Sequence, residues 1–331
     1  MSNYRAIFLV TLLLFGCAEP KLLTPSERFE FSDQLLLSGQ LSEDGHWVLL
    51  LTESADLSLY DIRSASQVLS LDSTILPRTV RAVLLNKSQG IILVAGNNVV
   101  QIWEITRAKL REQFEISGFD ELARVSALGI SESGRTVAVG MTDGAVNIIH
   151  FSEKKAHRTV LHSSNIAYVN FINNDQSIVS ASHDGYLKVT EVVTGNEIYS
   201  VSFPSRVSAV ALNHDETRLF VSDSLKTQVI MDLENGEILT QFDYLSRFKW
   251  FRHALFITAA PYLLTSSAKS KLSLWHMDSG KEMSRWDIEA HSMGSTVLDM
   301  VELNNSNVMT LSSEGVIEVW NMNKAQFFVA Y

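Results

Sequence analysis

Past residue 30 the chain falls into short apolar segments separated by polar turns, and the same order of segments returns seven times. One segment aligns cleanly as DLSLYDI, VVQIWEI, AVNIIHF, YLKVTEV, TQVIMDL, KLSLWHM and VIEVWNM. Its fifth residue is Tyr60, Trp103, Ile149, Thr190, Met231, Trp275 and Trp320, with spacings of 43, 46, 41, 41, 44 and 45. A period of about 40–45 residues belongs to arrays of small sheets stacked around an axis. Each unit opens on an alternating segment such as VSALGIS or AYVNFIN, which ends in a polar turn such as SESG or NNDQ. A second apolar run follows, then a tight turn, clearest as Asp143-Gly144, Asp184-Gly185 and Glu314-Gly315. The aligned segment is third, and a turn such as VTGNE or DSGKE leads to a fourth. Period-two alternation punctuated by glycine and asparagine turns predicts four antiparallel strands per unit and no helix of useful length.

Open sheets of this total size leave many unpaired edges, whereas radial repetition leaves only short, protected ones. The expected fold is therefore all-β: a seven-bladed propeller over residues 33–331. Ring closure needs one more strand in the last blade. The terminal AQFFVAY reads as that strand, and ERFEF at 27–31 is the alternative.

The units resemble the WD-repeat propellers. The fullest likeness is LHSSNIAYVNFINNDQSIVSASHDGYLKVTEV, in the fourth unit. His162 stands where that family has the His of its Gly-His pair, and Asp184 where it keeps the turn Asp. Ser182 lies two residues before that Asp. The resemblance implies a buried hydrogen-bonded network of His, Asp, Ser and a strand-c Trp, with Thr190 in the Trp position here. His291 and Trp320, with Glu314 at the Asp position, take the same places in the seventh unit. SGKEMSRW and TGNEIYSV also resemble quinoprotein repeats, which dock through a Trp that only Trp286 matches.

Composition narrows the function. The net charge is −10 and no window holds a basic cluster of the kind that neutralises phosphates, so no nucleic-acid partner is expected. One cysteine in 331 residues excludes an internal disulfide or a zinc ribbon. That cysteine, Cys17, follows an eleven-residue apolar run, Ala6 to Gly16. As a helix the run spans about 16 Å, short of the ~30 Å of a bilayer core. With its single preceding Arg and the polar AEPK after it, the stretch reads as a signal peptide over 1–16. Leu14-Phe15-Gly16-Cys17 resembles a bacterial lipobox. The resemblance implies cleavage before Cys17, acyl chains on it, and a tether over 17–32. Ala18, in place of an inner-membrane retention Asp, implies the periplasmic side of the outer membrane.

No His-Glu-x-x-His run, nucleophile elbow or glycine-rich phosphate loop occurs, and no catalytic residue, metal ligand or cofactor is assigned. One stretch departs from the repeat. DYLSRFKWFR, 243–252, brings Arg247, Lys249, Trp250 and Arg252 into an acidic chain. Aromatics beside Arg are common interface anchors, so these four are the candidate partner-binding residues, with Phe248 or Phe251 turned to the core. SGFDELAR offers Phe119 and Leu122 as milder candidates. The expected function is a membrane-anchored, non-catalytic scaffold for envelope proteins, itself a monomeric propeller within a complex. The alternative is an enzyme or small-ligand binder at the central channel, such as a quinoprotein-like dehydrogenase or a lactonase.

Overall fold

Each repeat forms one antiparallel four-stranded sheet in a computed structural model of the chain. The model describes residues 23–325 apart from 154, 243–249, 290, 291, 293 and 305. Blades one to six cover 36–71, 82–115, 125–160, 166–202, 207–241 and 251–287, each with strands a to d side by side in chain order. Blade seven takes three strands from 297–321 and its fourth from Glu27–Glu30. The expected seven-bladed all-β propeller is the fold.

The sequence grammar explains the packing. Strand b, as in Ile91–Ala95 and Thr136–Met141, is apolar and buried along its whole length, because both its faces lie against neighbouring blades. Strand d lies outermost, and its side chains alternate between buried or half-buried and exposed, as in Lys109–Glu115. Seven apolar clusters form among the described residues, one between each neighbouring pair of blades. One of them joins blade seven to blade one, through Leu36, Leu50, Leu311 and Ile317. The b–c turn of blade three needs its glycine. Gly144 has φ 88°, and a Cβ there would sit 2.0 Å from the His162 carbonyl oxygen.

Ring closure corrects the first reading of the termini. Glu27–Glu30 pairs with Val316–Asn321 in the register Glu27 to Val319 and Glu30 to Val316. The physical reason lies on both sides. After Trp320 the chain turns into a short helix, Met322–Ala325, whose Met322 and Ala325 are buried in the blade six–seven cluster. The Asn321 side chain accepts the Lys324 N–H and caps that turn, so the chain leaves the sheet edge. Phe29 and Phe31 then pack on the blade seven–one cluster, and the N-terminal strand takes the edge. Of the terminal segment AQFFVAY, only Ala325 is among the described residues.

Candidate interaction surface

Alternating strand direction sorts the connections onto two faces. The a–b and c–d turns lie on one, and the b–c turns and d–a loops on the other. The two faces use their polar groups differently.

On the a–b face, carboxylates bind the backbone of the preceding blade. Asp175 accepts the N–H groups of Glu132 (2.8 Å) and Ser133 (3.3 Å). Glu216 accepts that of Asn173 (2.9 Å), and Glu302 accepts the N–H and hydroxyl of Thr258 (2.8 and 2.6 Å). Asp44 pairs with Lys87 of the next blade. Asp44, Asp175 and Glu216 line a cavity of about 930 Å³, whose wall also includes Gln40, Tyr168 and Asn170. Deeper in, Asp299 accepts the Leu41 N–H across the blade seven–one seam (2.7 Å) and that of Met300 (2.9 Å). Burial nevertheless pushes its pKa up to about 7.

The network expected in blade four is present, with one change of residue. His162 is buried; its Nδ1 lies 3.0 Å from Asp184 and its Nε2 3.0 Å from the Ser180 hydroxyl. Ser180, not Ser182, is thus the serine of the network. Position along the strand decides it: Ser180 lies inside strand b beside the imidazole, whereas Ser182 is its last residue and is bonded into the turn. Ser182 Oγ instead accepts the Asp184 N–H and donates to the Ser164 carbonyl. Burial lowers the His162 pKa, against the pull of Asp184, so the imidazole is neutral at pH 7. Burial acts to raise the pKa of Asp184, but the N–H groups of Ser163 and Tyr186, with His162, hold it below the usual range. Thr190 is buried with no partner for its hydroxyl. The indole half of the network sits in other blades: Trp275 donates to Thr265 (2.9 Å) and Trp320 to Thr310 (3.1 Å). Both threonines stand at the strand position that Ser180 has in blade four. His291 lies outside the described residues.

The opposite face carries exposed apolar groups. Leu122 (76 % exposed) and Phe119 (57 %) stand on the loop into blade three. That loop is held by Asp143, which accepts the N–H groups of Phe119 and Asp120, and by Arg158, 4.1 Å over the Phe119 ring. Leu225 (60 %) tops the b–c turn of blade five, and Trp250 (43 %) ends the loop into blade six. Phe251 is the core residue of its stretch, buried between Phe220 and Trp275. Arg252 is exposed, its guanidinium 3.4 Å from the Thr296 hydroxyl. Arg247 and Lys249 lie outside the described residues, as does Cys17. The sequence reading missed Arg206, whose guanidinium lies 5.6 Å from the Trp250 ring centroid. It missed Leu225 and Lys226 as well, single residues in loops of ordinary length.

Among the described residues no trio of His, Cys, Asp or Glu could hold a metal ion, and no helix is long and apolar enough to cross a membrane.

No family model matches the chain. It is similar to the COMPASS component SWD3 of Saccharomyces cerevisiae, 22% identical over 248 residues, covering 70% of this chain and 78% of that protein. The U3 small nucleolar RNA-associated protein 21 homolog of Schizosaccharomyces pombe is 23% identical over 164 residues, 49% of this chain. Protein groucho of Drosophila melanogaster is 21% identical over 137 residues, 41% of this chain. The matched region is only 18% of each of those two longer proteins. The seven blades and the split His–Asp–Ser and Trp–Thr networks follow the pattern that the repeat resemblance implies. The chain is a WD-repeat-like propeller. Its b–c and d–a loops carry the exposed Phe119, Leu122, Leu225 and Trp250.

Proposed function

We propose that the protein is a non-catalytic interaction scaffold of a bacterial cell envelope, held at the outer membrane by lipid on Cys17. The observation that supports the scaffold reading is the contrast of faces. Phe119, Leu122, Leu225 and Trp250 stand exposed on loops of one face, while Asp175, Glu216 and Glu302 of the other are bonded between blades. Trp250 and Arg252, with Arg247 and Lys249 on the same stretch, are the candidate partner-binding residues. The anchoring reading rests on residues 1–17 alone. With the ring beginning at Glu27, nine residues separate it from Cys17, a reach of at most about 35 Å. That would keep the propeller close to the bilayer.

A channel-centred enzyme finds less support. Asp44, Asp175 and Glu216, which line the cavity, are engaged with neighbouring blades. Two experiments test the proposal. Cys17→Ser should leave an uncleaved precursor or release the protein from the membrane fraction; normal processing and fractionation would defeat the anchor. Cross-linking in the native membrane should capture envelope proteins through the b–c and d–a face. Adducts confined to the other face would defeat the docking assignment.

A further inference from the structure

We propose that Arg206, lying over the Trp250 ring, is a carboxylate-reading element, and that the segment docking there is acidic with an apolar side chain beside its acid. The inference rests on the docking reading above and adds the chemistry of the partner.

Arg206 ends the short loop between blades four and five and is exposed. It makes no ion pair and no side-chain hydrogen bond with any described residue. With its guanidinium 5.6 Å from the Trp250 ring centroid and exposed, its N–H fork is open to an incoming group. That fork matches a carboxylate, which an ammonium cannot do with two parallel bonds. The loop is fixed to the next turn: the Arg206 carbonyl accepts the Ser224 N–H (2.9 Å), and the hydroxyls of Ser205 and Ser224 are 2.8 Å apart.

The turn beside it is equally fixed. One oxygen of Asp223 accepts the N–H groups of Leu225, Lys226 and Thr227 at 2.8–3.0 Å. Asp223 itself is 1 % exposed, so the turn shows the surface only Leu225 and Lys226. On the far side of Trp250, Ser267 pairs with Phe251 and opens the turn that carries exposed Lys269. Lys226 and Lys269 make no ion pair with any described residue, whereas Lys271 is bridged to Asp287. His183, in the b–c turn of blade four, adds no charge at pH 7, because burial and then Arg206 lower its pKa. Arg206, Lys226, Arg252 and Lys269 thus stand together around Leu225 and Trp250, on a chain of net charge −10. Such a sector attracts an acidic segment and repels a basic one.

The test uses the whole chain and two fluorescein-labelled nonapeptides, EDELFDEDE and KKKLFKKKK, followed by anisotropy. The acidic peptide should bind and weaken with added salt, while the basic one should not bind. Arg206→Lys keeps the charge and loses the fork, and should weaken binding about tenfold with no change in thermal unfolding. The pair Lys226→Glu and Lys269→Glu should abolish binding. Equal binding of both peptides, binding of neither, or an Arg206→Lys variant that binds like wild type would overturn the inference. A photo-crosslinker at Leu225 separates this from failure of the docking reading. Adducts on acidic segments support both, adducts on basic or uncharged segments overturn only the acid-reading site, and no adducts overturn both.

Discussion

The a–b face and the b–c face of this ring are built from the same repeat and hold similar numbers of turns, yet they have opposite economies of polar groups. On the first, Asp175, Glu216 and Glu302 each reach back one blade to accept a backbone N–H. On the second, Asp143 and Asp184 accept N–H groups of the loop leading into their own blade and Asp223 those of its own turn, while Phe119, Leu122, Leu225 and Trp250 stand outward. An acid at a turn therefore says little about a binding site until its bonding partner is known. The apolar residue left over on a rigid loop says more.

That comparison can be broken or sharpened by mutation. The largest effect should follow deletion of 23–31, which removes the closing strand and uncovers the blade seven–one cluster. The deletion should abolish the cooperative thermal transition; a sharp transition near the wild-type temperature would mean the ring does not depend on that strand.

Next comes Asp299→Asn. The carboxyl ionises near 3.8 when unfolded and about 7 when folded, so the folded state holds its proton longer and stability falls as pH rises from about 4 to about 7. Glu318, also pushed up to about 7 by burial, acts in the same direction. The Asn variant should keep the bond from Leu41 and lose part of that decline. At pH 8 it should gain up to about 4 kcal/mol over wild type, at roughly 1.4 kcal/mol per pKa unit. Calorimetric midpoints for both proteins between pH 5 and 8 check this, and parallel curves would refute it.

His162→Ala should cost about 3 kcal/mol in denaturant unfolding, since it strands the buried Asp184 and Ser180 together. Asp175→Ala, on the a–b face, should cost about 1 kcal/mol by leaving two N–H groups of blade three to water. The smallest effect should be Trp250→Ala, within about 0.5 kcal/mol of wild type as expected for a surface position. The same change should nevertheless lose cross-linked partners. A Trp250→Ala loss as large as that of His162→Ala would place the indole in the core and erase the distinction between the faces.

Much of the fold was legible because its signals are local. Strand alternation and turn glycines repeat every 43 residues or so, and each blade announces itself separately. The closing strand was not legible, because AQFFVAY and ERFEF both read as short strands, and the choice between them turns on what Asn321 and the helix after it do to the chain's direction. Cross-blade bonds were hidden for a related reason. Asp175, Glu216 and Glu302 lie 43 or 44 residues from the amides they accept, and nothing near them in sequence records that. Ser180 could have been found by aligning strand b of blade four with Thr265 and Thr310, which hold the same register position. Arg206 could not, since its significance is a ring that lies against it from another blade.

The pairing of Glu27 with Val319 also sets an order in time. These residues are almost the whole described chain apart, so the first strand to leave the ribosome has no partner until nearly the last one follows. At about 5–20 residues per second the wait is on the order of 15–60 s. During it, blades one to six can form in sequence, each on its predecessor, while Phe29 and Phe31 remain uncovered. Closure is a single late event that converts an open arc with two apolar ends into a ring with none. A chain stopped short of residue 316 should stay an arc, and a helper that shields its N-terminal strand during synthesis would serve this protein better than one acting after release.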